Sequence, residues 1–177
     1  MRFSASTLQP VPWKNGGGVT RELAQQQRNG KMSWRLSLAE ISRDGPFSPF
    51  AGFARVHCVV DGAGHVLTGA GFRLEAQPLQ PVVFDGGIAL DCHLRDGPCT
   101  ALNLIYNPQH IAVLASVLRS GDWQRSGGKH VLFVAAGRLD LGSNGTLLSG
   151  EGLVSDHTVS GRVSADGAII RLEMSPL

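Results

Sequence analysis

Val56-His57-Cys58-Val59-Val60-Asp61-Gly62-Ala63-Gly64-His65-Val66-Leu67 and Val131-Leu132-Phe133-Val134-Ala135-Ala136-Gly137-Arg138-Leu139-Asp140-Leu141 share one plan. In each, an apolar run enters a glycine and a second short run leaves it, the signature of a strand, a tight turn and a returning strand. Further short strands and glycine turns follow in both halves. A strand set that recurs in this way predicts an all-β chain built as two small antiparallel barrels or jelly rolls packed together. The expected division is residues 1–106 for the N-terminal half and 107–177 for the second half. A short helix is expected between them: Asn107 as cap, Pro108 in the first turn, and Ile111, Leu114, Ala115 and Leu118 as an apolar stripe before Gly121.

Outward from the repeat, Val19–Gln25 and Met32–Ile41 read as paired strands joined at Asn29-Gly30, a hairpin signal. In the second strand Trp34, Leu36 and Leu38 alternate with Arg35 and Ser37, so the two polar residues share the wetter face. Residues 1–12 read as an extended lead-in, with Pro10 and Pro12 blocking regular structure. The loop that follows, Trp13-Lys14-Asn15-Gly16-Gly17-Gly18-Val19-Thr20-Arg21-Glu22, crowds recognition groups around three glycines. Its backbone N–H groups could form an anion-accepting concavity; a plain tight turn is the alternative.

Composition sets limits. The 177 residues carry a net charge of only +2 and no Lys/Arg run, which points away from nucleic acid and from a membrane surface. No apolar run approaches the roughly 20 residues of a helical membrane span, and the N-terminus lacks a signal-peptide core, so a cytoplasmic protein is expected. Cys58, Cys92 and Cys99 form no CxxC pair and support neither a zinc ribbon nor a disulfide framework. Cys58 reads as a buried small hydrophobe.

The repeat resembles the central part of the cupin pattern, in which a strand, a glycine turn and another strand bring ligands to a barrel mouth. Metal-binding cupins carry two histidines and a glutamate at fixed distances before the glycine. Counted back from Gly62, those positions hold Ser48, Phe50 and Arg55; counted back from Gly137, they hold Trp123, Arg125 and His130. Neither half keeps the metal set, and the six histidines do not pair at ligand spacing, so no metal and no other cofactor is expected. Arg55 in place of a metal-binding carboxylate turns a cation site into an anion site, since a guanidinium grips a carboxylate through two charge-assisted hydrogen bonds. An internal pairing of Arg55 with Glu22 or Glu40 is the structural alternative. Asn103, between Leu102 and Leu104, needs partners if buried, and a ligand is one source. His65 falls either at a pocket or, more simply, on a surface hairpin.

The loop from Trp13 to Glu22, the strand Trp34-Arg35-Leu36-Ser37-Leu38-Ala39-Glu40-Ile41, and Phe47-Ser48-Pro49-Phe50-Ala51-Gly52 with Arg55 resemble the HutD/Ves family of bacterial cupin-like proteins. The segment from Phe84-Asp85-Gly86 to Leu102-Asn103-Leu104 extends the resemblance more loosely. The chain departs from the family's usual residues at Ala101 and at Tyr106-Asn107. The resemblance implies a bicupin without an established enzymatic activity, associated with histidine utilisation, where members moderate flux or inducer level. Urocanate and formylglutamate are the natural ligands it suggests.

The residues and the resemblance together lead to a metal-free bicupin that binds a small carboxylate and moderates histidine utilisation. Arg55 would grip the anion, with Asn15, Gly16, Gly17, Arg21, Glu22, Ser48, Phe50 and Asn103 around it. A homodimer is compatible with this reading. Two alternatives stand beside it: a hydrolase or isomerase using Glu22 or His65 as acid/base, and a protein-interaction module that presents the glycine loop.

Overall fold

A computed structural model describes residues 1–125 and 128–177, together with the side chains of all of these except Arg125. Nineteen strands follow one another in the described chain. The first eleven are β1 (Arg2–Ser4), β2 (Val11–Pro12), β3 (Gly18–Arg28), β4 (Lys31–Ile41), β5 (Gly45–Phe47), β6 (Ala54–Asp61), β7 (His65–Gly69), β8 (Phe72–Ala76), β9 (Val82–Asp85), β10 (Leu90–Leu94) and β11 (Cys99–Tyr106). The remainder are β12 (Ile111–Leu118), β13 (Gly121–Arg125), β14 (Lys129–Ala136), β15 (Arg138–Asp140), β16 (Thr146–Leu148), β17 (Glu151–Ser155), β18 (Val159–Val163) and β19 (Ala168–Pro176).

They form two compact units, one of residues Leu8–His110 and one of Met1–Thr7 with Ile111–Leu177. The first residues of the chain thus group with the later strands, because β1 pairs antiparallel with β17. Each unit is a pair of antiparallel sheets. In the Leu8–His110 unit the strand orders are β2-β3-β4-β11-β6-β9 and β5-β10-β7-β8; in the other they are β1-β17-β14-β19-β12 and β13-β18-β15-β16. The fold is all-β, a double jelly roll.

The hairpin at Asn29-Gly30 forms as its residues require. Asn29 and Gly30 take φ of 52° and 71°, both left-handed, and β3 and β4 pair across them. The helix expected after Asn107 does not form. Asn107 does cap a turn, its Oδ1 accepting from the Gln109 N–H at 2.9 Å, but Ile111–Leu118 is strand β12, paired with β19 residue for residue. Its apolar stripe fits a helix, yet Ile111, Val113, Ala115 and Val117 fit period two equally well, and β-branched residues favour the pleated surface. The tertiary partner decided between them.

Inside the Leu8–His110 unit, Ile41, Phe47, Val59, Leu67, Leu90 and Cys99 pack into a core that closes the floor between the two sheets. Gly62, at the turn after β6, has φ of 88°, and a Cβ there would stand 2.6 Å from the Pro98 carbonyl oxygen and 2.8 Å from the Cys99 Cα. The repeat's glycine is therefore fixed by a backbone crossing as well as by its conformation. Gly71 has a similar φ of 77° but open space around its Cβ direction. Gly62→Ala is expected to cost more than about 2 kcal/mol, and Gly71→Ala about 1 kcal/mol, in urea unfolding. Equal losses would show that the crossing adds nothing.

Candidate functional site: an arginine pocket in the first unit

One face of β4, β11 and β6 looks onto the interior of the Leu8–His110 unit, and strand alternation fixes what it carries. Toward the floor lie Ala39, Ala101 and Val59. One row higher, Ser37, Asn103 and His57 stand side by side; higher still, Arg35, Ile105 and Arg55 do. The upper rows open into a cavity of about 380 Å³, whose lining includes Arg35, Ser37, Arg55 and Asn103.

Arg55 is the unusual member. It is only 6% exposed, yet among the described residues no carboxylate lies within ion-pair distance of it. Its Nε and one terminal nitrogen donate to Asn103 Oδ1 at 2.9 and 2.7 Å. Its guanidinium carbon sits 4.0 Å from the centroid of the Phe47 ring and 5.9 Å from that of Phe84. Burial, reinforced by the charge of Arg35, brings its pKa down to about 9. Arg35 adds a second cation: its guanidinium carbon is 5.1 Å from the Phe50 ring centroid, and its buried Nε has no hydrogen-bond acceptor.

Beneath the arginines the polar row is fully directed. Arginine cannot accept, so the Asn103 atom facing it is the carbonyl oxygen, and His57 Nδ1, 2.6 Å from that oxygen, must carry a proton. Burial and the neighbouring Arg55 hold His57 well below its usual pKa, so the ring is neutral and its Nε2 accepts. His65 then donates through its own Nε2 at 3.1 Å, and its bare Nδ1 accepts from the Cys99 thiol at 3.3 Å. The Asn103 amide nitrogen donates to the Ala101 carbonyl oxygen. The chain Cys99–His65–His57–Asn103 thus presents one carbonyl oxygen to Arg55 and holds the guanidinium in place.

The sequence-derived residues divide into two groups. Glu22, Ser48, Phe50, Arg55 and Asn103 all line the cavity. Asn15, Gly16, Gly17 and Arg21 do not. The glycine loop's N–H groups are consumed internally, Gly16 donating to the Trp13 carbonyl oxygen and Gly17 to Asn15 Oδ1. Its Gly16 and Gly17 carbonyls accept from Arg43 and Ser42, and Gly18 packs where a Cβ would meet the Glu40 carbonyl oxygen at 2.3 Å. The loop is therefore a clamp on the end of β4, and no anion concavity forms. Arg21 pairs with Glu40, which removes Glu40 as a partner for Arg55. His65, expected on a surface hairpin, is completely buried.

The cavity also holds Trp13 and Thr20 of the glycine loop, together with Arg35, Ser37 and Phe47, which the sequence had not marked as site residues. Trp13 Nε1 donates to Thr20 Oγ1 at 2.7 Å, which fixes the indole on the rim. The signal for Arg35 and Ser37 was present in the alternation of β4. Among the described residues no group of three or more His, Cys, Asp or Glu side chains could hold a metal ion, and no helix is long and apolar enough to cross a membrane.

The neutral histidines make stability depend on pH. His65 is pushed down to about 4, first by burial and then by Arg55, and His57 is lowered for the same reasons. Between about pH 4 and the usual histidine value near 6.5, the unfolded chain binds protons that the folded chain refuses, so stability rises with pH. It is complete above about pH 6.5 and is lost as pH falls through the window, at up to about 1.4 kcal/mol per pH unit for each histidine. Urea unfolding of wild type and His65→Leu between pH 7 and 4.5 is expected to show a shallower pH dependence in the variant. Equal slopes would mean that His65 is not buried neutral.

Comparison with known proteins places this geometry in a family. The HutD family model matches residues 5–171. A 21.2 kDa protein from the hutC 3′ region of Pseudomonas putida is 38% identical over 107 residues, covering 56% of this chain and 54% of that protein. The Ves protein of Cronobacter sakazakii is 34% identical over 99 residues, 55% of each chain. The chain is therefore aligned over about half the length of these curated relatives. HutD from Pseudomonas fluorescens SBW25, whose structure was obtained in a formate condition, superposes with a TM-score of 0.87 at 30% identity, covering 100% of this chain and 98% of that one. A nickel-bound bacterial pirin from Escherichia coli shares the fold, with a TM-score of 0.72 at 10% identity. The chain is a cupin-type double jelly roll and belongs to the HutD family.

Proposed function

We propose that the chain binds a small carboxylate metabolite of the urocanate or formylglutamate type in the Arg55 pocket, and that binding moderates histidine utilisation. The observation that carries this reading is a buried guanidinium with no carboxylate beside it among the described residues. Moving an ion out of water costs several kcal/mol. Two hydrogen bonds to a neutral carbonyl and a ring face return part of that. Arg35, with an orphaned Nε on the same cavity, raises the demand for an anion. A carboxylate entering between them would be held by charge-assisted hydrogen bonds on one side and by Ser37 or Ser48 hydroxyls on another.

Glu22 shapes the rest. It lines the same cavity, and an acceptor there favours a ligand that carries an N–H as well as a carboxylate. The imidazole of urocanate and the formamide of formylglutamate both meet that requirement. The position of the P. putida relative's gene near hutC supports the connection to histidine utilisation. Formate, named in the condition of the P. fluorescens structure, is the smallest probe of the same chemistry. The enzymatic alternative is left with one of its two acid/base candidates, because Glu22 lines the cavity whereas His65 is fully buried and does not.

Calorimetry and thermal shift with urocanate, formylglutamate, formate and acetate, followed by product analysis, test the reading. Saturable stabilisation without turnover is expected. Arg55→Met, which keeps the side chain's bulk, is expected to weaken carboxylate binding by at least about 30-fold, the equivalent of roughly 2 kcal/mol. Its ligand-free stability should remain within about 1 kcal/mol of wild type, since a hydrophobic isostere replaces an ion with no ionic partner. A variant that binds as tightly as wild type would remove Arg55 from the site. Turnover of any of these compounds would favour the enzyme instead.

A further inference from the structure

The turn end of the β3–β4 hairpin carries a second cleft of the Leu8–His110 unit, and it shares no lining residue with the Arg55 pocket. Its volume is about 470 Å³, within the range of small-molecule sites. Arg28, Asn29, Lys31 and Ser33 line it from the hairpin, and Asn107 and His110 from the turn after β11. The Asn107 N–H donates to the Ser33 carbonyl oxygen at 3.0 Å, and the His110 N–H to the Asn107 carbonyl oxygen at 3.2 Å. Those two bonds tie the turn to the hairpin and set His110 on the same cleft as the hairpin's basic residues.

Charge sets this cleft apart. Arg28 and Lys31 stand directly opposite each other across the Asn29-Gly30 turn, and like charges in that position repel. A hairpin kept only for stability would gain from an acid at one of the two places. No carboxylate lines the cleft, and among the described residues none lies within ion-pair distance of Arg28, Lys31 or His110. The neutral groups lean the same way. Asn107 Oδ1 is spent on the Gln109 N–H at 2.9 Å, which leaves its NH₂ to offer, and the Asn29 amide and Ser33 hydroxyl can also donate. The cleft is thus lined by donors around an uncompensated pair of cations.

We infer that this cleft is a second ligand site, and that it takes a phosphomonoester, a dianion with three terminal oxygens. The Arg28 guanidinium can hold two of those oxygens through parallel charge-assisted hydrogen bonds, with the Lys31 ammonium as a second charge. His110 and the Asn107 amide supply donors for the remaining oxygen. The cleft is larger than a bare phosphate needs, and half-buried Met32 gives the organic part an apolar wall. A monocarboxylate suits this set poorly, since its single charge and two oxygens are outnumbered by the donors. A bound dianion also offsets the repulsion between Arg28 and Lys31, so occupancy stabilises the hairpin. This inference does not depend on the carboxylate reading of the Arg55 pocket.

Titration with glycerol 3-phosphate, inorganic phosphate and acetate, followed in backbone ¹H–¹⁵N spectra at fixed pH and ionic strength, tests it. The Asn29, Gly30 and His110 peaks are expected to shift saturably with glycerol 3-phosphate, at a roughly millimolar midpoint because exposed charges each contribute little. Inorganic phosphate should bind no more tightly than the ester, and acetate should move the peaks at least about fivefold less. Arg28→Ala and Lys31→Ala should each weaken binding at least about fivefold. Lys31→Glu, which places opposite charges across the turn, should abolish binding yet raise the urea midpoint of the ligand-free protein. Arg55→Met should leave the hairpin response unchanged. The inference fails if the peaks do not move, if acetate moves them as far as the ester, or if free phosphate binds more tightly than the ester. It fails equally if Lys31→Glu binds like wild type or lowers the urea midpoint. Each of these results leaves carboxylate binding at Arg55 untouched.

Discussion

The first unit depends on one oxygen. Asn103 Oδ1 accepts from two nitrogens of Arg55 and from His57, and this convergence holds a cation inside a β-sandwich with no acid among the described residues to neutralise it. Everything around it follows from that constraint. His57 must be neutral and protonated on Nδ1, His65 must donate through Nε2, and Cys99 must remain a thiol, which burial favours by pushing its pKa up to about 11. Phe47 must lie under the guanidinium, where a desolvated cation–π contact contributes up to about 2 kcal/mol. The network is worth its cost in specificity of placement more than in stability, because an ion held only by neutral groups is close to break-even at best.

The layering explains how the same fold carries both a core and a site. Along each inward-facing strand, apolar residues close the floor and polar residues occupy the rows toward the mouth. Val59 gives way to His57 and then to Arg55; Ile169 gives way to Arg171 and then to Glu173. The depth at which the first polar residue appears sets the depth of the cavity. In the first unit that transition begins at a buried histidine, so Arg55 is desolvated; in the second it begins at Arg171, which is 21% exposed.

Much of this was legible in the residues before the coordinates. Counting back from Gly62 led to Ser48, Phe50 and Arg55, and all three line one cavity, because the distance from strand to turn is set by the backbone and not by the side chains that the cupin pattern had lost. Asn103 stood out as a carboxamide in an apolar run, which marks a buried group with partners. What misled was local chemistry without its tertiary partner. The stripe of Ile111, Leu114 and Leu118 satisfied a helix until β19 supplied a strand beside it. The triple glycine looked like an anion cradle, but its N–H groups were already committed to Trp13 and Asn15. His57 gave no signal and His65 pointed to a pocket or a surface hairpin, since a directed chain through two neutral histidines needs strands of two sheets brought face to face, and register is invisible in a single sequence.

A crystal structure of the protein with bound urocanate is the most direct measurement of the central claim, that the buried charge of Arg55 is kept for an anion. The expected result is a carboxylate hydrogen-bonded to the Arg55 guanidinium, with Arg35 Nε donating to the same group and losing its orphan status. A carboxylate bound elsewhere with both arginines unchanged, or an acidic side chain of the protein itself found against Arg55, would contradict it.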